Sequence, residues 1–292
     1  MTKNTFSYCC HSQSLVMTAL FVLLSLGFIS STQAAEPVKN IRIYTINCGE
    51  VNVSNMAPFS DTGEYDGKPG KVMAPCYLIR HPKGNLLWDT GLGDGLAEKK
   101  EGVDNGPFHM HLDKTLMSQL NEIEIEPADI QFVSFSHLHF DHTGNANLFT
   151  NATWLLSKKE LDWGLSTPTP FGVNPDSFSA YKTVKVETVD GDLDVFGDGT
   201  VKIFSAPGHT PGHKVLWVKL KKNGNVLLSG DLYHTIENRS MKRMPVFNVD
   251  RADTLASMDR IEKIVKNTQA RFVIQHAPES FAVMPKFPAY LD

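Results

Sequence analysis

The sequence predicts an α/β protein in which sheets pack between helices. Two observations carry that expectation. Strand-like stretches are interrupted by helical ones, and several of the strand-like stretches end in a short polar cluster: "WDTG", "SHLHFDH", "APGHTPGH", "SGD" and "QHAP". If those strands are neighbours, their ends converge on one rim. The chain has 292 residues, 41% of them hydrophobic and 21% charged, enough for a large core without disulfide staples. Its formal net charge is −4 and it has no long basic or acidic run, so nothing in it suggests a nucleic-acid partner, whose footprint would be a basic face.

In chain order, the first element is not part of the fold. Lys3 precedes the fifteen-residue apolar run "LVMTALFVLLSLGFI", and small residues follow in "SSTQAAEP". That is the pattern of a secretory signal peptide over residues 1–34, cleaved after Ala34, and the run is short for a membrane span, which needs about 20 residues. The mature domain then covers residues 35–292, periplasmic or secreted, with no stable membrane association. It keeps Cys48 and Cys76. An oxidising compartment permits a bridge between them, and two buried thiols are the alternative.

"NIRIYTIN" alternates as a half-buried strand does. "CYLIRHPKGNLLWDTG" reads as two strands joined at Pro82–Asn85, and "KTLMSQLNEIEI" as a helix. "IQFVSF" is a short buried strand that delivers the chain into "SHLHFDHTG". "TWLLS" is a strand and "KKELDWGL" starts a helix, followed by a long polar-aromatic loop over residues 164–180, of a length that is often functional. "KTVKVETVDGD" and "GTVKIFSAPG" alternate like strands, and "KVLWVKLKKNGNVLLSGD" has the look of a hairpin turning at Asn223–Gly224. Residues 250–268 form the clearest amphipathic helix, with Leu255, Met258, Ile261, Ile264 and Val265 at helical spacing and Asp250 as its cap. "ARFVIQHA" is the last strand.

The clusters carry the chemistry. Zinc and similar ions prefer imidazole nitrogen and carboxylate oxygen. His137 and His139, two apart in an extended segment, point to one side and can grip one ion. Asp141 and His142 lie just beyond, where a turn aims them at a second ion. His209 sits between turn residues, Asp231 ends an apolar strand with two oxygens able to bridge, and His276 ends another. The expected assignment is His137, His139 and His209 on one ion, Asp141, His142 and His276 on the other, and Asp231 between them. The expected cofactor is two Zn2+ per chain, with another divalent metal allowed. Asp89 is expected to orient a ligand histidine by accepting its other N–H. His213 and His234 are expected near the site rather than as ligands, and His81, His109 and His111 as ordinary histidines.

"SHLHFDHTG", "APGHTPGH", "SGD" and "QH", in this order, resemble the metallo-β-lactamase superfamily over nearly the whole mature chain. The resemblance implies an αββα sandwich with the dinuclear site at one edge of the two sheets. Within the superfamily, a bridging aspartate such as Asp231 points away from antibiotic hydrolysis. Only sixteen residues follow His276, too few for the helical domain of hydroxyacylglutathione hydrolases, and no RNA-binding addition is visible.

What remains is similar to the N-acyl homoserine lactonases: "CYLIRHPKGNLLWDTGLGDG", "SGDLYHTIENR" and "QHAPESFAVMPKFPAYLD" look like secreted members of that group. The resemblance implies ring opening of an acylated lactone by a bridging hydroxide, with an exported organophosphate or aryl-ester hydrolase as the alternative. Asp141 is the expected proton shuttle. Familiar lactonases carry a tyrosine three residues after the bridging aspartate. Here that place is His234, with Tyr233 one residue earlier, so either could polarise the carbonyl. Likewise, the aspartate common after the last ligand histidine is Ala277 here. Phe108, Met110, Trp163, Phe171, Phe178 and Phe247 are candidates to hold the acyl tail. A homodimer stays open.

Overall fold

Along β1 (Arg42–Val53) and β2 (Gly70–His81), successive side chains alternate between two buried apolar layers. Tyr44, Ile46, Cys76 and Leu78 face one layer, while Ile43, Tyr77 and Ile79 face the other. A strand covered on both faces reads as a nearly continuous apolar run, which is why "CYLI" has no polar partner residues. The computed structural model describes Ser7 and residues 38–292; Ser7 apart, the expected leader over residues 1–34 lies outside the described residues.

The first sheet continues through β3 (Gly84–Trp88), β4 (Val103–Asn105), β5 (Phe108–His111), β6 (Phe132–Ser134), β7 (Thr153–Leu156) and β8 (Val186–Thr188). Its order is β4-β5-β1-β2-β3-β6-β7-β8. The second sheet contains β9 (Leu193–Asp194), β10 (Val201–Ser205), β11 (Lys214–Lys219), β12 (Asn225–Leu228) and β13 (Arg271–Val273), in the order β13-β12-β11-β10-β9. β14 (Tyr290–Leu291) returns to pair with β1, making the first sheet nine-stranded against five in the second.

Ile43, Tyr77, Ile79, Leu86 and Trp88 from the first sheet meet Ile203, Leu216, Val218, Val226 and Leu228 from the second, forming the central core. The outer face of the first sheet packs on α1 (Leu116–Glu122) and on loops around Phe149 and Phe178. The outer face of the second, Val215, Trp217 and Leu227, packs on Met258 and Ile261 of α5 (Arg251–Thr268). In chain order, α2 (Phe140–Thr143), α3 (Lys158–Gly164) and α4 (Ile236–Met241) come between α1 and α5. Each fully buried aliphatic side chain here contributes about 1.5–3 kcal/mol. The result is the αββα sandwich that the resemblance implied. Asp250 caps α5 as expected, accepting from Asp253 N at 2.7 Å.

Three details differ from the sequence expectation. α1 stops at Glu122 rather than running to Ile125, because Glu124 turns left-handed at φ 56°. The segment "FHMH", for which the sequence suggested no element, is β5, an antiparallel neighbour of β1. The last strand is β14, not residues 270–277. Cys48 and Cys76 are bonded, with Cα atoms 5.7 Å apart.

The direction of the strands builds the rim. β3 and β6 are parallel neighbours, and so are β12 and β13. β10 and β12 both pair antiparallel with β11 and therefore run the same way. The chain leaves all of these strands at one edge of the sandwich, into Asp89, His137–His142, His209, Asp231 and His276.

Candidate metal centre

Two groups of donors face each other across Asp231. On one side, His209 Nε2 lies 3.1 Å from His137 Nε2 and 3.2 Å from His139 Nδ1. Asp231 Oδ2 closes this group at 3.3 Å from His209 Nε2 and 3.7 Å from His137 Nε2. On the other side, Asp141 Oδ2 is 3.6 Å from both His142 Nε2 and His276 Nε2. Asp231 Oδ1 closes that group at 3.2 Å and 3.0 Å from the same two nitrogens. Each carboxylate oxygen of Asp231 thus serves one triad; the donor atoms of His137, His139, His209 and Asp231 lie within 4.8 Å of one another, as do those of Asp141, His142 and His276 and those of Asp231, His234 and His276.

A second ring of contacts fixes these side chains. Asp89 is fully buried in a left-handed conformation at φ 57°, which aspartate tolerates better than most residues. Its Oδ2 accepts from His142 Nδ1 at 3.0 Å and from Gln275 Nε2 at 2.8 Å, and its Oδ1 accepts from Ser136 N at 2.7 Å. Gln275 Oε1 in turn accepts from Trp88 Nε1 and Gly230 N. His209 Nδ1 donates to Asn248 Oδ1 at 2.8 Å, and His276 Nδ1 donates to Met73 O. His213 donates through Nδ1 to Ala206 O and accepts the Asp231 N–H on Nε2 at 2.9 Å, so it holds the backbone of the bridging residue. Each ligand imidazole held this way presents its other nitrogen to the centre.

The electrostatics suit divalent ions. Burial keeps His137 and His209 well below the usual histidine range and lowers His139 to about 4, so their lone pairs are free at neutral pH. Burial also works against charge on His142 and His276, but the carboxylates of Asp231 and Asp141 outweigh it and hold both above that range. Burial pushes Asp231 up, and the surrounding imidazoles outweigh it and hold its carboxyl well down. His142 Nε2 and Asp231 Oδ1 are both buried and approach to 3.2 Å without forming a hydrogen bond. Both point at a shared space that a cation fits.

Residues 69–276 match the family described as the metallo-β-lactamase superfamily. The chain belongs to this superfamily. Among its relatives, the N-acyl homoserine lactonase AttM of Azorhizobium caulinodans is 29% identical over 273 residues, 87% of this chain and 99% of that protein. The N-acyl homoserine lactonase AiiA of Bacillus thuringiensis subsp. kurstaki is 29% identical over 233 residues, 76% of this chain and 90% of that protein. A solved N-acyl homoserine lactone hydrolase, with the product N-hexanoyl-L-homoserine at its catalytic metal center, superposes with a TM-score of 0.74. It is 26% identical and covers 87% of this chain and all of that one. Family and donor set together make the chain a metal-dependent hydrolase.

The superfamily centre opens here into a cavity. Its polar end is formed by His139, Asp141, Asp231, His234 and His276, and its apolar walls include Val51, Phe59, Val72, Phe108, Phe171 and Phe247. The long loop over residues 164–180 contributes directly: Phe140 N donates to Gly172 O at 2.8 Å, and Phe171 projects over the cavity with 65% of its surface exposed.

Of the two residues offered as carbonyl polarisers, the structure brings only His234 to the site. Its Nε2 is 3.0 Å from Asp231 Oδ2, and its ring stacks on His276 at 5.1 Å and meets Phe59 edge-on at 5.3 Å. Tyr233 is corrected: it points the other way, into the core below the second sheet, with its ring 5.8 Å from that of Phe272. The chain turns at Ser229–Leu232, which returns the side chain three residues after Asp231 to the site and sends the intervening ones to the core. Among the tail candidates, Phe108, Phe171 and Phe247 line the cavity. Phe178 is fully buried core, Met110 packs beside Phe59 without lining the cavity, and the Trp163 ring sits 6.0 Å from that of His139. His81 stacks on Phe196 and pairs with Asp198, while His109 and His111 pair with Asp104 and Asp113, all away from the centre. Sequence reasoning missed Phe59, Asn248 and Gln275. Only Gln275 carried a signal, its place beside His276.

Proposed function

We propose that the protein hydrolyses N-acyl homoserine lactones, opening the ring at a centre of two divalent ions. The observation that carries this reading is the cavity: an aromatic-walled slot for an acyl tail, ending on a polar head-group site built from ligand side chains. The relatives that cover nearly the whole chain are named for this activity, which supports it.

His137, His139, His209 and Asp231 would hold one ion, and Asp141, His142, His276 and Asp231 the other. The nitrogen-rich donor set favours zinc. When bound, such ions supply Lewis acidity and a water that ionises near neutral pH. The chain's own residues do the rest. Phe59, Phe108 and Phe247 exclude water from the tail and fix the lactone against the donors. His234 orients the head group from the wall beside Asp231. Asp141, at the cavity floor, takes the proton of the attacking water and returns it to the ring oxygen. One water is added across the ester: the acyl C–O bond breaks, the hydroxyl goes to the carbonyl carbon and the proton to the released alcohol.

We further infer export after cleavage near Ala34. The apolar run at residues 15–29 and the Cys48–Cys76 bridge support it.

Mass spectrometry of N-hexanoyl and N-decanoyl homoserine lactone after incubation tests the reaction. A gain of one water, abolished in Asp141→Asn, is the expected result. Fast phosphotriester cleavage with no detectable ring opening would overturn it in favour of an organophosphate hydrolase.

A further inference from the structure

α3 opens on "SKKE", the pattern of a capping box, in which the glutamate turns back to the amide of the capping serine. Half of that box forms, with Ser157 Oγ accepting from Glu160 N at 3.4 Å. The glutamate carboxylate turns inward instead and is buried, the residue being 3% exposed. Its Oε1 accepts the N–H of Leu138 at 3.0 Å, and its Oε2 accepts the N–H of Gly212 at 2.8 Å.

Those two amides belong to different strand ends. Leu138 lies between His137 and His139; Gly212 lies in the loop that runs from His209 to His213. One carboxylate therefore ties together the two loops that supply the three-histidine group. The approach is tight enough to demand glycine: a Cβ on Gly212 would stand 2.5 Å from Glu160 Cβ and 2.6 Å from Ser157 Oγ.

We propose that Glu160 is a positioning residue for the three-histidine half of the centre. It sets the distance of His209 from His137 and His139, and so the affinity of that half for its ion. The proposal rests on the reading of the centre as a metal site but not on the identity of the substrate. A carboxylate accepts from both amides, whereas a carboxamide turns an NH2 group toward one of them. Glu160→Gln therefore breaks one tie at constant volume.

The test is a Co2+ titration of the chelator-treated full chain, followed by visible absorption, with circular dichroism as the check on folding. For Glu160→Gln the expected result is a folded protein in which one of two Co2+ equivalents binds about 10–100-fold more weakly with an altered spectrum. The other equivalent should stay within about threefold. Gly212→Ala, which forces the same contact apart from the other side, should weaken the same equivalent, and Glu160→Asp should restore part of the affinity. Parent-like binding of both equivalents in Glu160→Gln overturns the proposal. So does equal loss of both equivalents, or unfolding of both Glu160→Gln and Gly212→Ala, since Glu160 would then support the fold at large. A parent protein inactive on lactones but binding Co2+ as described would sink the substrate reading and leave this one standing.

Discussion

The two halves of the centre share Asp231 and little else. The three-histidine half draws on imidazoles that burial keeps neutral, with His139 lowered to about 4. The other half draws on His142 and His276, which nearby carboxylates hold above the usual range against burial, with Asp89 hydrogen-bonded behind His142. One half offers lone pairs that need only an ion. The other must exchange protons for one. On the proposed two-ion reading, the halves should therefore differ in loading because their surroundings place charge differently.

The strongest way to break the comparison is to remove what the halves share. Asp231→Ala should weaken both equivalents and lower kcat/KM by about 10^2–10^3-fold, the scale on which one electrostatic contributor to a reacting centre acts. Metal content of the purified variant and lactone turnover check it; retention of one tight ion would mean that Asp231 is not a bridge.

A matched pair sharpens it further. Asp89→Asn removes the charge behind His142, and Asn248→Ala removes the acceptor behind His209. Each should weaken the ion of its own half by about 10–100-fold and spare the other, as read by competition with a chelator.

Acidity offers a third test. His142 and His276 titrate above the ordinary histidine value near 6.5, so protons compete for that half already near neutrality, and its affinity should fall as the pH drops. One displaced proton gives about tenfold per pH unit. His139 in the other half picks up its proton only near pH 4. Titrations at pH 8, 7 and 6 should show one equivalent weakening and the other holding; parallel loss of both would contradict the electrostatic contrast.

The smallest effects concern the wall beside Asp231. His234→Phe should lower kcat/KM by about tenfold, the equivalent of one lost hydrogen bond of about 1–1.5 kcal/mol. Tyr233→Phe should stay within about twofold, because the Tyr233 ring lies in the core.

What could be read from the sequence follows the range of the signal. "SHLHFDH" is legible because its ligands are close together, His209 because it sits between glycine and proline turn residues, and Asp231 and His276 because each follows an apolar strand. The α/β class follows from strand-like stretches interrupted by helical ones, whereas the αββα layering was legible only through the resemblance to the superfamily. Direction within a turn is not encoded in composition, which is why Tyr233 and His234 could not be told apart until the turn at Ser229–Leu232 was seen. Phe178 sat in a loop that reads as polar yet packs as core, while Phe59 lies in a connection with no periodic pattern. Glu160 was hidden by a local explanation: "SKKE" already accounts for a glutamate at that spacing.

The Cys48–Cys76 bridge has a thermodynamic consequence of its own. It closes a ring with a sequence separation of 28, and that ring contains Val51, Phe59 and Val72 of the cavity wall. In chain-entropy terms such a closure disfavours the unfolded ensemble by about 3–4 kcal/mol. Leu92 N also donates to Cys48 O, in the segment that follows Asp89. The crosslink thus confines one wall of the cavity and abuts the loop behind His142, so that a reduced chain would have to order both without its covalent tether.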